Sequence, residues 1–181
     1  MKQSIRSWVT CAASVTAAYL IFATAQATAS SDSYGDSRSL VSLQHAQEIL
    51  TIGESVLRLK AFIWRDFMPI GVPDDPNEAR AVVADARGMR AIIQLIDDKG
   101  TPIPSTLHAD TVWIIQGDQV WTTKAIEERR GELDASSCEF AIAKGPMWQP
   151  SSYVDVVIGL KDGKGATSLL AIRHQIIKST V

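Results

Sequence analysis

The chain has 181 residues, 46% of them hydrophobic, and sets 18 Lys and Arg against 20 Asp and Glu. A net charge of −2 with scattered basic residues excludes the concentrated basic face that nucleic-acid binding needs. Two cysteines and three histidines, none at zinc spacing, exclude a disulfide framework and a zinc-finger type of site.

Lys2 and Arg6 precede an apolar, uncharged run from Val9 to Ala25. Ala27-Thr28-Ala29 then offers small residues before the polar Ser30-Ser31-Asp32-Ser33. This pattern predicts a secretory signal peptide over residues 1–29 and a periplasmic or secreted protein of a bacterial cell envelope. The run is short for an anchor, so no membrane span is expected after cleavage. Loss of Lys2 and Arg6 takes the net charge from −2 to −4. Cys11 leaves with the signal, and Cys138, next to Phe140-Ala141-Ile142, reads as a buried strand residue.

Residues 30–47 read as a disordered or weakly structured leader: polar to Ser39, then a brief Leu40, Leu43, Gln47 pattern. The folded domain is expected over 48–181. Ile49-Leu-Thr-Ile52, Gly53-Glu54 and Val56-Leu57 predict a tight hairpin. A long strand follows from Ser55 to Phe67. Leu57, Leu59, Ala61 and Ile63 share one face, and Arg58 and Lys60 the other. Pro69 and the loop Gly71-Val-Pro-Asp-Asp-Pro-Asn77 stop it. Residues 78–87 fit a helix by alanine content and a strand by neighbourhood.

Met89 to Ile96 is a strand ended by Asp97-Asp-Lys-Gly100. Pro102 and Pro104 bar a central strand over 101–110. Thr111–Gln116, Gly117-Asp118 and Gln119–Lys124 form the clearest hairpin, with Trp113 and Trp121 placed to neighbour each other across it. Glu127 to Asp134 reads as a charged loop, Ser137 to Ala143 as a strand, and Gly145-Pro-Met-Trp-Gln-Pro150 as an aromatic loop. Tyr153 to Leu160 alternates as a strand. Ser168 to Ile177 is the last, with Leu170, Ile172 and Ile176 on one face.

The segments Ile93-Gln-Leu-Ile-Asp-Asp-Lys-Gly-Thr-Pro-Ile-Pro104 and Val156-Val-Ile-Gly-Leu-Lys-Asp-Gly-Lys-Gly165 resemble the strand-to-turn pieces of immunoglobulin-like and transthyretin-like extracellular domains. The antibody-type cysteine pair is absent. With the strand count, the resemblance implies an all-β fold, an immunoglobulin-like β-sandwich of about seven or eight strands.

No catalytic motif emerges. His45, His108 and His174 are dispersed, and there is no Gly-x-Ser-x-Gly elbow or phosphate-cradling glycine loop. The leading expectation is a non-catalytic binding module for an envelope protein or glycan, without cofactor or bound metal. Its candidate recognition residues are Trp64, Arg65, Asp66 and Trp148, since aromatics and arginine at the loop-bearing end of a sandwich suit an interface. Two alternatives stand beside it. One is a small periplasmic hydrolase using His108 or His174. The other is a metal-handling module that brings the histidines to Met68 or Met147.

Overall fold

The computed structural model describes residues 38–71, 73–130 and 135–180. The expected signal peptide, residues 1–29, lies outside them. The described residues form helix α1 (Leu40–Gln44), strands β1 (Leu50–Ile52) and β2 (Ser55–Asp66), helix α2 (Pro76–Arg87), and strands β3 (Met89–Asp97), β4 (His108–Gln116), β5 (Gln119–Lys124), β6 (Ile126–Arg130), β7 (Ser137–Gly145), β8 (Tyr153–Lys161) and β9 (Thr167–Thr180). The class is all-β. The nine strands form one mixed sheet in the order β5-β4-β8-β9-β2-β3-β7-β6, with β1 paired to β2. β6 falls where a charged loop was expected.

Two corners fold this sheet nearly into a barrel, so the two layers expected of a sandwich are continuous. β9 makes one corner. Its first part runs antiparallel to β8, from Thr167 opposite Lys161 to Ile176 opposite Tyr153. Its end runs parallel to β2, Ile63 opposite Ile177 and Asp66 opposite Thr180. A bulge marks the change, with His174 at φ 54°. Asp155 holds the bulge: its carboxylate accepts from the His174 N–H at 2.9 Å and from Arg173 Nη1 at 3.2 Å. The extra residue shifts the alternation by one. Leu170 and Ile177 therefore both point inward, and Ile176, expected on the Leu170 face, is exposed. The second corner is the passage from β5 to β6 at Ala125, whose N–H bonds Asp110 O at 3.1 Å.

The core lies inside the fold. Leu57, Leu59 and Ile63 of β2 meet Ile93 and Leu95 of β3, with Phe140 of β7, as the alternation predicts. Cys138 is buried with them. The β1–β2 hairpin forms as expected, Ile52 opposite Ser55. In the β4–β5 hairpin Gly117 takes φ 61°, and Gln116 faces Gln119. Trp113 is then opposite Thr122, and Trp121 opposite Ile114. The two tryptophans are one residue out of step, which puts them on opposite faces. Trp121 packs on the inner core, whereas Trp113 is buried on the outer side with Leu43, Ile115, Val157 and Ala171. A side chain at Gly159 would stand 3.2 Å from the Trp113 ring, so glycine makes the room for that indole.

Leu43 belongs to the stretch read as a leader, in which Leu40–Gln44 form α1. α1 lays Leu43, fully buried, over Trp113. Arg173 Nη2 donates to the carbonyls of Leu43 (3.2 Å), Gln44 (2.9 Å) and Ala46 (3.1 Å). These carbonyls lie at and just after the end of α1, where the chain leaves the helix. Gln47 then bridges to β9, accepting from the Ala171 N–H at 2.7 Å.

Residues 78–87 are helical within α2. Its start is built by Asp75, whose Oδ1 accepts from the N–H groups of Asn77 (2.8 Å) and Glu78 (2.9 Å), with Pro76 in the first turn.

The two segments that carried the family resemblance share one device. Asp97 Oδ1 accepts from the N–H groups of Val56 and Lys99, both at 3.0 Å. Asp162 Oδ1 accepts from those of Lys164 and Ala166, both at 2.9 Å. Burial alone would raise the Asp97 pKa. The Lys99 and Val56 amides, with the neighbouring hydroxyls of Thr101 and Ser55, outweigh burial and hold it at about 2. The stability Asp97 lends is present above the ordinary carboxylate range and is lost as pH falls through about 2.

Candidate functional site

Strand alternation divides the hexapeptide that begins at Trp64. Arg65 points inward and is 7% exposed. Its Nε donates to Arg87 O at 2.9 Å, and its Nη1 to Met147 O at 3.1 Å and Trp148 O at 3.0 Å. One guanidinium thus ties the end of α2 and the 145–150 loop to β2. Burial, and then the charge of Arg87, lower its pKa. The guanidinium carbons of Arg65 and Arg87 lie 5.0 and 5.7 Å from the centre of the Phe67 ring.

Asp66 is a turn-holding residue in this geometry. Its Oδ1 accepts from the Met68 N–H at 2.9 Å and from Thr180 Oγ1 at 3.3 Å. Trp148 is half-buried against the core, and its Nε1 donates to Gln119 Oε1 at 2.9 Å. Arg65 reaches Trp148 through that residue's main-chain carbonyl. Of the four candidates, Trp64 alone stands on the outward face of the strand in an apolar depression.

That outward face is where the geometry concentrates recognition chemistry. The polar side of β2 begins with Arg58 and Lys60 but continues with Phe62 and Trp64. Phe62 is 44% exposed, and its ring lies 5.3 Å from that of Trp64, tilted by 40°. The register carries an apolar row across four strands. Phe62 is opposite Ile92, Ile92 opposite Ala141, and Ala141 opposite Ile126. Ile126 is 59% exposed. A sheet with one solvated face normally alternates apolar inside with polar outside, and this row breaks that rule.

Two adjoining depressions flank Ile92, which lines both. One, of ≈ 300 Å³, is bordered by Lys60, Phe62, Gln94 and Glu139. The other, of ≈ 270 Å³, is bordered by Trp64, Arg90, Ile126 and Glu128, with Ala141 and Ala143 as small floor residues. Each therefore holds one aromatic ring, one cation and one carboxylate. Gln94 Nε2 donates to Glu139 Oε2 at 3.1 Å. Lys178 Nζ stands 4.7 Å over the Phe62 ring. Arg90 Nε is buried without a hydrogen-bond partner among the described residues.

Phe62, Arg90, Ile126, Glu128 and Glu139 were not singled out from the sequence. One signal was present: Phe62 and Trp64 sit at period two on the strand face already marked by Arg58 and Lys60.

The histidines stand apart. His45 Nδ1 meets Val41 O at 2.7 Å at the end of α1, His108 opens β4, and His174 is exposed on the β9 bulge. No group of three His, Cys, Asp or Glu side chains among the described residues is placed to hold a metal. No described helix is long and apolar enough to cross a membrane. Comparison with protein-family models, curated proteins and solved structures gives no match.

Proposed function

We propose that the protein is an exported, non-catalytic binding module of the cell envelope, and that its ligand face is the outward side of β2, β3, β7 and β6. The observation that carries this reading is the row Phe62, Ile92, Ala141 and Ile126, with Trp64 beside it, on a face that solvent alone would keep polar. Aromatic rings over small floor residues, edged by charges, make a surface that holds a ligand by stacking and orients it by hydrogen bonds. The signal-like N-terminus supports the location. Arg65 and Trp148, first read as recognition residues, serve this face indirectly by fixing the end of β2.

The test is co-sedimentation of the purified protein with isolated envelope fragments, beside a Phe62→Ser/Trp64→Ser variant. The expected result is sedimentation of the parent and release of the variant, with both unfolding at the same urea concentration. A parent that stays in the supernatant, or a variant that still sediments, would overturn the proposal.

A further inference from the structure

We infer that the occupant of the β2–β3–β7–β6 face is an acidic oligosaccharide, a chain of sugar rings carrying carboxylates; this rests on the binding-module reading above. Three observations converge on it. The first is repetition. The two depressions meet at Ile92 and repeat the same set: Phe62, Lys60 and Glu139 in one, Trp64, Arg90 and Glu128 in the other. Successive outward residues on a strand are about 7 Å apart. A ligand made of repeated units at about that spacing places one unit in each depression.

The second is the pairing of a flat ring with planar polar groups. A sugar ring lays its C–H face on an aromatic side chain while its hydroxyls reach carboxylate and amide partners at the edge. Glu128, Glu139 and Gln94 provide those partners.

The third is charge. The aromatic side of the trough carries Lys60, Lys178 beside Phe62, and Arg90 across from Trp64. The opposite side carries Glu128 and Glu139. A carboxylate on the sugar pairs with the cationic side, and sugar hydroxyls donate to the anionic side. The same polarity orients the chain. Arg90 lines the second depression, where its guanidinium is a cationic donor for such a carboxylate. An acidic peptide would share the cations but gain little from the aromatic pair.

The test is retardation of the protein in native gels cast with polygalacturonate, with dextran or with polyglutamate. Polygalacturonate is expected to retard it, less so as salt rises. Trp64→Ala and Arg90→Gln are each expected to weaken that retardation about tenfold while leaving the urea midpoint in place. Dextran and polyglutamate are expected to leave the mobility unchanged. Equal retardation by dextran, insensitive to Arg90→Gln, would overturn the acidic class and keep a neutral glycan. Retardation by polyglutamate, insensitive to Trp64→Ala, would reduce the face to a charge effect and overturn the inference. If no gel retards the protein but envelope fragments still sediment it, the acidic-oligosaccharide inference is overturned while the binding-module reading stands. If both assays are negative, the binding-module reading falls as well.

Discussion

The outward sides of the two halves of the sheet carry apolar residues, and the chain treats them differently. On the β4–β8–β9 side, Trp113, Ile115, Val157 and Ala171 lie under α1, with Leu43 driven into them and Arg173 gripping the carbonyls behind it. On the β2–β3–β7–β6 side, Phe62 and Ile126 stay open to solvent. The covered side illustrates what this fold does with an apolar outer row when its own chain is the occupant. A large side chain goes in, and a hydrogen-bonding side chain holds the covering backbone in place. The open side has the row and the edge charges, and in the function proposed above its cover is a bound ligand.

The strongest way to break this contrast is Trp113→Ala. It empties the covered side and is expected to cost about 3–5 kcal/mol, read from urea unfolding. A cost below about 1 kcal/mol would mean that the strap formed by α1 and Gln47 over Trp113 carries little of the fold's stability. Arg65→Met tests the tie from β2 to the end of α2 and the 145–150 loop. Three carbonyls lose a buried donor, for an expected loss of about 3 kcal/mol on the same measurement.

Leu43→Ala sharpens the contrast. It should cost about 2 kcal/mol and expose the leader to limited proteolysis under native conditions. An unchanged cleavage pattern would show that Arg173 and Gln47 hold the strap without Leu43. The smallest effect belongs to the open side. Trp64→Ala is expected to shift stability by less than about 1 kcal/mol, and a loss as large as that of Trp113→Ala would make Trp64 a structural residue.

The sequence made hairpins legible wherever a glycine turn joined adjacent strands, as at Gly53 and Gly117. The inward face of β2 followed directly from Leu57, Leu59 and Ile63. Helix α2 was legible in principle, since its alanine content favours a helix and Asp75-Pro76-Asn77-Glu78 is a capping pattern, but its strand-rich neighbourhood left 78–87 open to either reading. The Ile176 error came from a bulge: one inserted residue reverses every later side chain, and nothing local at His174 announces it. Trp113 and Trp121 failed for the same reason, since a one-residue difference about a turn is a difference of face. The site was harder still. Phe62, Ile92, Ala141 and Ile126 become a row only through the register of four strands that are not consecutive in the chain.

The junction in β9 also governs how the chain can fold. Ile63 finds its parallel partner only in Ile177, close to the C-terminal end of the sequence. β9 pairs with β8 as well, so the two halves of the sheet are joined along this side by β9. Contacts of such sequence separation form slowly, because the intervening loop must close before they contribute. Until β9 is in place the seam between β8 and β2 stays open, so the two halves of the sheet lock together late. In the export proposed above, such late locking would keep the chain pliable until it had crossed the membrane.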